Sequence, residues 1–149
     1  VGVAIFSYRA WALWSLGYPE AALGDTNHAL KDARATGHAA TLMVALGYAL
    51  PTHIYCGDYA AANAHADELV ALADEKGAML WKAAGMMNQG WVAALTGNAS
   101  NAIQMITSGI TAWRSTGATT WMPLYLPLLA RAMRNSANSR MPGAALAKR

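Results

Sequence analysis

Charge is scarce in this sequence. Asp, Glu, Lys and Arg make up 13% of its 149 residues, where an ordinary soluble domain carries about 25%. A chain with so little solvating charge is expected either to have much of its surface covered by neighbours or to be a piece of something longer. It begins at Val1 without a methionine, which fits the second. Cysteine is nearly absent. Cys56 stands alone, so no internal disulfide forms, a disulfide-stapled secreted fold is excluded, and a reducing, cytoplasmic setting is expected. A basic face is missing too. Residues 1–130 hold six Lys/Arg against eight Asp/Glu, and the formal charge of +3 comes from Arg131, Arg134, Arg140, Lys148 and Arg149. Without a cationic surface to meet phosphates, nucleic acid is not an expected partner. Long apolar runs are also lacking. Residues 83–113 carry no charge, but Asn88, Gln89, Gly97, Asn98, Ser100, Asn101 and Gln104 interrupt them; residues 39–57 are broken by Pro51, Thr52 and His53. A membrane helix needs about 20 mostly apolar residues in succession, so no span is expected. With neither a basic n-region nor a cleavage site, no signal peptide is expected.

What is present is a period. Gly17, Gly57 and Gly97 lie 40 residues apart, and so do Gly37, Gly77 and Gly117. Their surroundings agree: Leu16-Gly17-Tyr18-Pro19-Glu20-Ala21-Ala22 aligns with Cys56-Gly57-Asp58-Tyr59-Ala60-Ala61-Ala62 and with Thr96-Gly97-Asn98-Ala99-Ser100-Asn101-Ala102. The second series reads Ala35-Thr36-Gly37-His38, Glu75-Lys76-Gly77-Ala78 and Ser115-Thr116-Gly117-Ala118. The segments between glycines are rich in Ala, Leu and Met, which favour helix. Their apolar residues recur at three and four positions, as in Ala62, Ala66, Leu69, Leu72 and Ala73. Glycine ends such helices because it enters the left-handed region without a Cβ penalty. Pro19 suits a helix start, and Asp58 and Asn98 are placed to cap the helices that follow. Helices are therefore expected at about 3–16, 19–36, 39–56, 59–76, 79–96, 99–116 and 119–133. They pair as A and B helices of repeats at about 1–38, 39–78 and 79–118, with a partial fourth repeat at 119–132. A lone hairpin cannot bury its apolar side, so the expected fold is all-α: about seven antiparallel helices in a right-handed α-α superhelix, a solenoid with a 40-residue repeat.

The residues around each first glycine resemble the tetratricopeptide repeat (TPR) family. Cys56-Gly57-Asp58-Tyr59 with Ala62 is the nearest match, and Gly17 with Ala22 and Gly97 with Ala102 follow it. The small residue of helix A stands as Ala10 and Gly90 but is Leu50 in the middle repeat; the family's helix-A tyrosine is replaced by Leu13, His53 and Ala93. The period exceeds the family's usual ~34 residues, so the array is a divergent, TPR-like one. The phrase running from Arg9 to Ala22, with Ser115-Thr116-Gly117-Ala118 and Pro123-Leu124-Tyr125, also looks like the C-terminal repeat region of large bacterial adenylate/guanylate cyclase–ATPase signalling proteins. That resemblance implies a non-catalytic, scaffolding or protein-interaction module of a signalling protein, its partner a protein, a peptide or other domains of the parent. The alternative is a small-molecule-sensing domain that controls a cyclase or ATPase. Carrying TPR groove positions over points to Ser7, Tyr8, Trp11, Tyr48, Pro51, Tyr55, Met87, Asn88 and Trp91 as the partner-binding wall. The basic clamp with which some TPRs hold a C-terminal carboxylate is missing.

Catalytic chemistry has little support. His28, His38, His53 and His65 have no metal-ligand spacing and are expected at surfaces or interfaces. Cys56 lacks a marked base or anion site and is expected to fill a small buried gap. Asp67-Glu68 and Asp74-Glu75 share one helix rather than facing across a cleft, as a solvated face does. No cofactor motif occurs, and the chain is not expected to be an enzyme. Residues 133–149 depart from the period, with Ala137 and Pro142 where glycine and alanine are due. They are expected to be an unstructured tail or the product of a single-base frameshift. A truncated last repeat would leave an apolar end uncapped, through which copies of the chain could associate.

Overall fold

The computed structural model describes residues 2–140. Among these residues every regular element is a helix: α1 (Gly2–Ser15), α2 (Pro19–Ala35), α3 (Ala39–Tyr55), α4 (Tyr59–Glu75), α5 (Met79–Leu95), α6 (Ala99–Ser115) and α7 (Met122–Arg140). Gly17, Gly37, Gly57, Gly77, Gly97 and Gly117 all take φ between 65° and 89°, a region that β-carbons disfavour. At four of these turns the next amide reaches back five residues to close the helix: Tyr18 to Leu13, Asp58 to His53 and Asn98 to Ala93, each at 2.9 Å, and Ala78 to Ala73 at 2.7 Å. Asp58 and Asn98 then cap α4 and α6, their side-chain oxygens accepting from the amides of Ala61 at 3.1 Å and Asn101 at 3.2 Å. Pro19 opens α2, where its missing N–H leaves nothing unsatisfied.

Consecutive helices pack against each other throughout. In addition α1 touches α3, α3 touches α5 and α5 touches α7. Among the described residues α2, α4 and α6 pack on their odd-numbered neighbours and not on one another. A long side chain bridges one such gap: Arg34 of α2 donates to Glu68 of α4 at 2.7 Å. The core follows the odd helices and the small residues facing them. Leu46, Leu50, Leu69, Met87 and Ile106 are fully buried. Gly90 lies so close to α6 that a β-carbon there would sit 2.6 Å from Ile106 Cγ1 and 3.0 Å from its amide nitrogen. Ala10, Leu50 and Gly90, equivalent positions of three odd helices, are all buried.

The seventh helix corrects the sequence reading at both ends. It starts at Met122 rather than 119, because Thr119 and Thr120 lie in the connection and Trp121 turns into the left-handed region with φ 70°. It also runs past 133, to Arg140. Residues 128–140 contain neither Gly nor Pro, and Leu, Ala, Arg and Met prolong a helix that meets no stop. The segment from 133, expected to be unstructured, is thus helical as far as 140; the remainder, 141–149, lies outside the described residues.

Candidate functional site

The odd helices carry a wall of aromatic side chains. Tyr8 of α1 and Tyr48 of α3 occupy equivalent places 40 residues apart, and their hydroxyls share a hydrogen bond of 2.8 Å. Trp11 donates its indole N–H to the Tyr48 carbonyl at 3.2 Å, and its ring lies 5.1 Å from the Tyr48 ring. The hydrogen bond to Tyr8, with burial, pushes the Tyr48 phenol up to about 12, so it stays neutral. Farther along, Trp14 stacks on Tyr55 at 4.5 Å, and Tyr55 meets the edge of Trp91 at 5.3 Å. Tyr8, Trp14 and Tyr55 keep substantial exposed surface.

At its far end the wall closes. Trp121 brings its ring 5.5 Å from Trp11, at 88°, joining α1 to the connection before α7. Beneath this contact lies a cavity of about 260 Å³. Trp81, Trp113, Leu124 and Tyr125 line it together with Trp11, Tyr48, Pro51, Met87 and Asn88. No carboxylate, ammonium, guanidinium or imidazole is among its lining groups. Burial raises the Tyr125 phenol well above its ordinary range, against a smaller opposing pull from Asn88. Asn88 is 2% exposed; its amide donates to Ala84 O at 2.9 Å, while its Oδ1 has no hydrogen-bond partner. The indole N–H of Trp113, 6% exposed, is also without one.

The nine groove residues named from sequence divide accordingly. Trp11, Tyr48, Pro51, Met87 and Asn88 come together at the cavity. Tyr8 and Tyr55 flank it on the open wall. Ser7 belongs to neither: it is 4% exposed and donates its hydroxyl to Val3 O at 2.9 Å within its own helix. Trp91 is 5% exposed, a core residue wedged among three odd helices rather than a free face. The nine positions leave out Trp81, Trp113, Leu124, Tyr125 and above all Trp121, which also line the cavity. Trp113 sits on an even helix, and Trp121 reaches the wall only through a backbone turn that no motif announces.

Of the other chemistry-bearing groups, Cys56 is half-buried, and burial followed by the charge of Asp58 pushes its thiol up, away from the reactive thiolate. Asp67, Glu68, Asp74 and Glu75 accept from Gln89, Arg34, Lys82 and Lys76 on the outside of the molecule. Among the described residues no group of three His, Cys, Asp or Glu gathers in a way that would hold a metal ion, and no helix is long and apolar enough to cross a membrane.

His53 corrects the expectation of a surface histidine. It is 3% exposed, neither ring nitrogen has a hydrogen-bond partner, and its ring lies 5.1 Å from that of His65. Burial holds the His53 imidazole below its usual range, opposed by Asp58, whose Oδ2 is 3.5 Å from Nδ1. His65 is depressed by burial and by His53, with Glu68 pulling it up and Arg34 pushing it down. Both rings are bases with folded pKa values below the unfolded one. The unfolded chain therefore binds protons that the fold refuses once the pH drops below about 6.5. Stability from these rings is complete above that value and is lost as the pH falls through the depressed folded values. Thermal melts between about pH 7.5 and pH 5 should show a falling midpoint, and the slope should flatten in His53→Leu. A midpoint that holds constant or rises on acidification would contradict the assignment.

No protein-family model, curated protein or solved structure matches the chain.

Proposed function

We propose that this chain is a non-catalytic binding module, a TPR-like α-α superhelical repeat whose odd-helix face receives a protein or peptide, or another domain of its own parent protein. The observation that carries the reading is the exposed aromatic wall on one layer of helices, Tyr8, Trp14 and Tyr55, backed by rings that fix its shape. Tyrosine and tryptophan present large apolar area with few torsions to immobilise, and such rings are enriched where proteins meet. The packing order supports a curved array. A continuous odd layer with even helices held apart bends toward the odd side, which makes that side the concave one, as repeat stacks that grip extended partners require. The 40-residue recurrence of Tyr8 and Tyr48 on that side supports the repeat assignment. The resemblance to cyclase–ATPase signalling proteins makes a cytoplasmic scaffold in such a protein the fitting context.

The test is a displayed-peptide selection against the domain, followed by affinity measurement with the double variant Tyr8→Ala/Tyr55→Ala. Both residues are exposed but hold ring contacts with Tyr48, Trp14 and Trp91, so the variant should stay folded with a lowered midpoint, and affinity is measured below its transition. Selected peptides should lose at least about tenfold in affinity, the effect of truncating anchor residues at an interface. Peptides that bind the variant undiminished, and lose affinity instead when Arg34 and Glu68 on the even helices are changed, would place the binding surface elsewhere.

A further inference from the structure

We infer that the open stripe of α7, Leu126, Ala130 and Met133, seats an acidic amphipathic helix of a partner protein, in the place that α2, α4 and α6 fill beside the earlier odd helices. The inference rests on the repeat part of the reading above and not on the aromatic wall. None of the three residues belongs to the wall or lines the cavity.

The earlier odd helices show what covers such a stripe. Leu126, Ala130 and Met133 lie 80 residues after Leu46, Leu50 and His53 of α3. The register holds, since Tyr125 and Ala132 of α7 are buried like their counterparts Ala45 and Thr52. In α3 the stripe lies under the even helix that follows it: Leu46, Leu50 and His53 are all buried, and the His53 ring is 5.1 Å from that of His65 in α4. In α5 the same stripe meets α6, where Gly90 approaches Ile106. Among the described residues α7 packs on α5 and α6 alone. Leu126 and Met133 are accordingly 43% and 54% exposed, and Ala130 is exposed with them. Apolar residues at i, i+4 and i+7 form the face that a helix buries against a neighbour.

Shape and charge specify the occupant. The even helices are each 17 residues long. They open their buried faces on Ala22, Ala62 and Ala102, followed four residues later by Thr26, Ala66 and Ile106. A helix that starts its apolar stripe on a small residue can approach its odd neighbour closely. The charge is one-sided. All eight Asp and Glu lie between positions 20 and 75, whereas residues 76–149 hold eight Lys/Arg and no acid. Arg134, exposed one turn beyond Ala130, borders the stripe, and Arg131 is exposed nearby. Opposite charge across an interface steers association and selects the partner, so the helix that fits here is acidic. Within the molecule α4 is of that kind: it has four acids and no Lys or Arg, and its Glu68 and Asp74 pair with Arg34 and Lys82 on neighbouring helices. A second copy fits less well. Its even helices already bury their apolar faces in their own core, and its other open stripe, Ile5, Tyr8 and Leu16, belongs to an odd helix.

The probe is a synthetic peptide with the sequence of residues 58–76, which is α4 with its cap, labelled with a fluorophore; its anisotropy reads binding to the full chain. The peptide should bind saturably with a Kd below about 1 mM, and more tightly in about 0.05 M than in about 0.5 M salt. Leu126→Ser/Met133→Ser changes two exposed side chains outside the core, so the variant should stay folded and bind at least about tenfold more weakly. Arg131→Glu/Arg134→Glu should weaken binding at low salt and remove the salt dependence. Tyr8→Ala/Tyr55→Ala should leave this peptide's affinity unchanged, which separates the present inference from the wall. Absence of saturable binding would overturn the proposal. So would binding that Tyr8→Ala/Tyr55→Ala abolishes while both α7 variants retain it, or binding indifferent to salt and to the arginine pair. A concentration-dependent dimer in sedimentation velocity that Leu126→Ser/Met133→Ser abolishes would give the stripe to a second copy and overturn it as well. Peptide binding that appears only after removal of residues 141–149 would give the stripe to that segment, with the same consequence.

Discussion

Replacing Trp91 with alanine is expected to remove about 3–5 kcal/mol of stability, the usual penalty for truncating a buried tryptophan. Trp91 is 5% exposed and stands at the meeting of three odd helices. Its ring makes edge contacts with Tyr55 of α3 at 5.3 Å and Tyr125 of α7 at 6.2 Å. Such pairs contribute about 0.5–1.5 kcal/mol beyond the area they bury, so the substitution removes packing and ring contacts together. A domain of this size has a total stability of roughly 5–15 kcal/mol, and the variant should sit near the edge of folding at room temperature. Urea unfolding followed by far-UV circular dichroism measures the effect. A shift worth less than about 1 kcal/mol, the ordinary range of surface substitutions, would show that the ring is not a wedge. This reverses the expectation from groove homology alone, in which Trp91 faces a partner and its removal leaves the fold intact.

Gly109→Ala is the second large effect, and its sign is the informative part. In a helix interior glycine is about 0.8–1.0 kcal/mol worse than alanine, so propensity alone favours the change. The surroundings decide otherwise. A β-carbon at position 109 would lie 2.5 Å from Met87 Cγ, 3.1 Å from the Ala83 carbonyl oxygen and 3.2 Å from the Met87 amide nitrogen. Two of these are backbone atoms of α5, and Met87 is fully buried, so relief requires moving helix against helix. Overpacking of this kind costs about 1–3 kcal/mol, enough to turn the gain into a net loss and lower the melting temperature by several degrees. Gly24→Ala is the internal control. Gly24 lies in α2 with nothing within 4 Å of its would-be β-carbon and no positive φ, so the same substitution there should raise the midpoint by the propensity difference. If both variants shift in the same direction, the close approach of α5 and α6 is not what selects glycine at 109.

Helix identity and helix ends were largely legible because they are local. Each glycine from 17 to 117 in the two series needs only its own missing β-carbon to end a helix, and Asp58 and Asn98 need only the three residues after them to cap the next. The start of α7 was not legible. At 119–121 the period demands a helix, whereas the chain spends a left-handed tryptophan to bring Trp121 against Trp11, a partner 110 residues earlier in the chain. The candidate site shows the same division. Tyr8, Tyr48 and Asn88 occupy equivalent register positions, 40 residues apart, and sequence reasoning grouped them. Yet Tyr8 is 57% exposed and Asn88 2%.

By itself the amino-acid sequence determined which segments are helical, where six of their turns fall and which residues share a register, since these depend on backbone preferences and neighbours a few positions away. Only the tertiary structure decided which of the equivalent residues form an open wall, which form the core and which enclose a cavity. That outcome depends on α7 and Trp121 folding over one end of the odd layer. It is a matter of long-range packing, where glycines at 90 and 109 allow helices to close up, and a periodic pattern treats all its repeats alike.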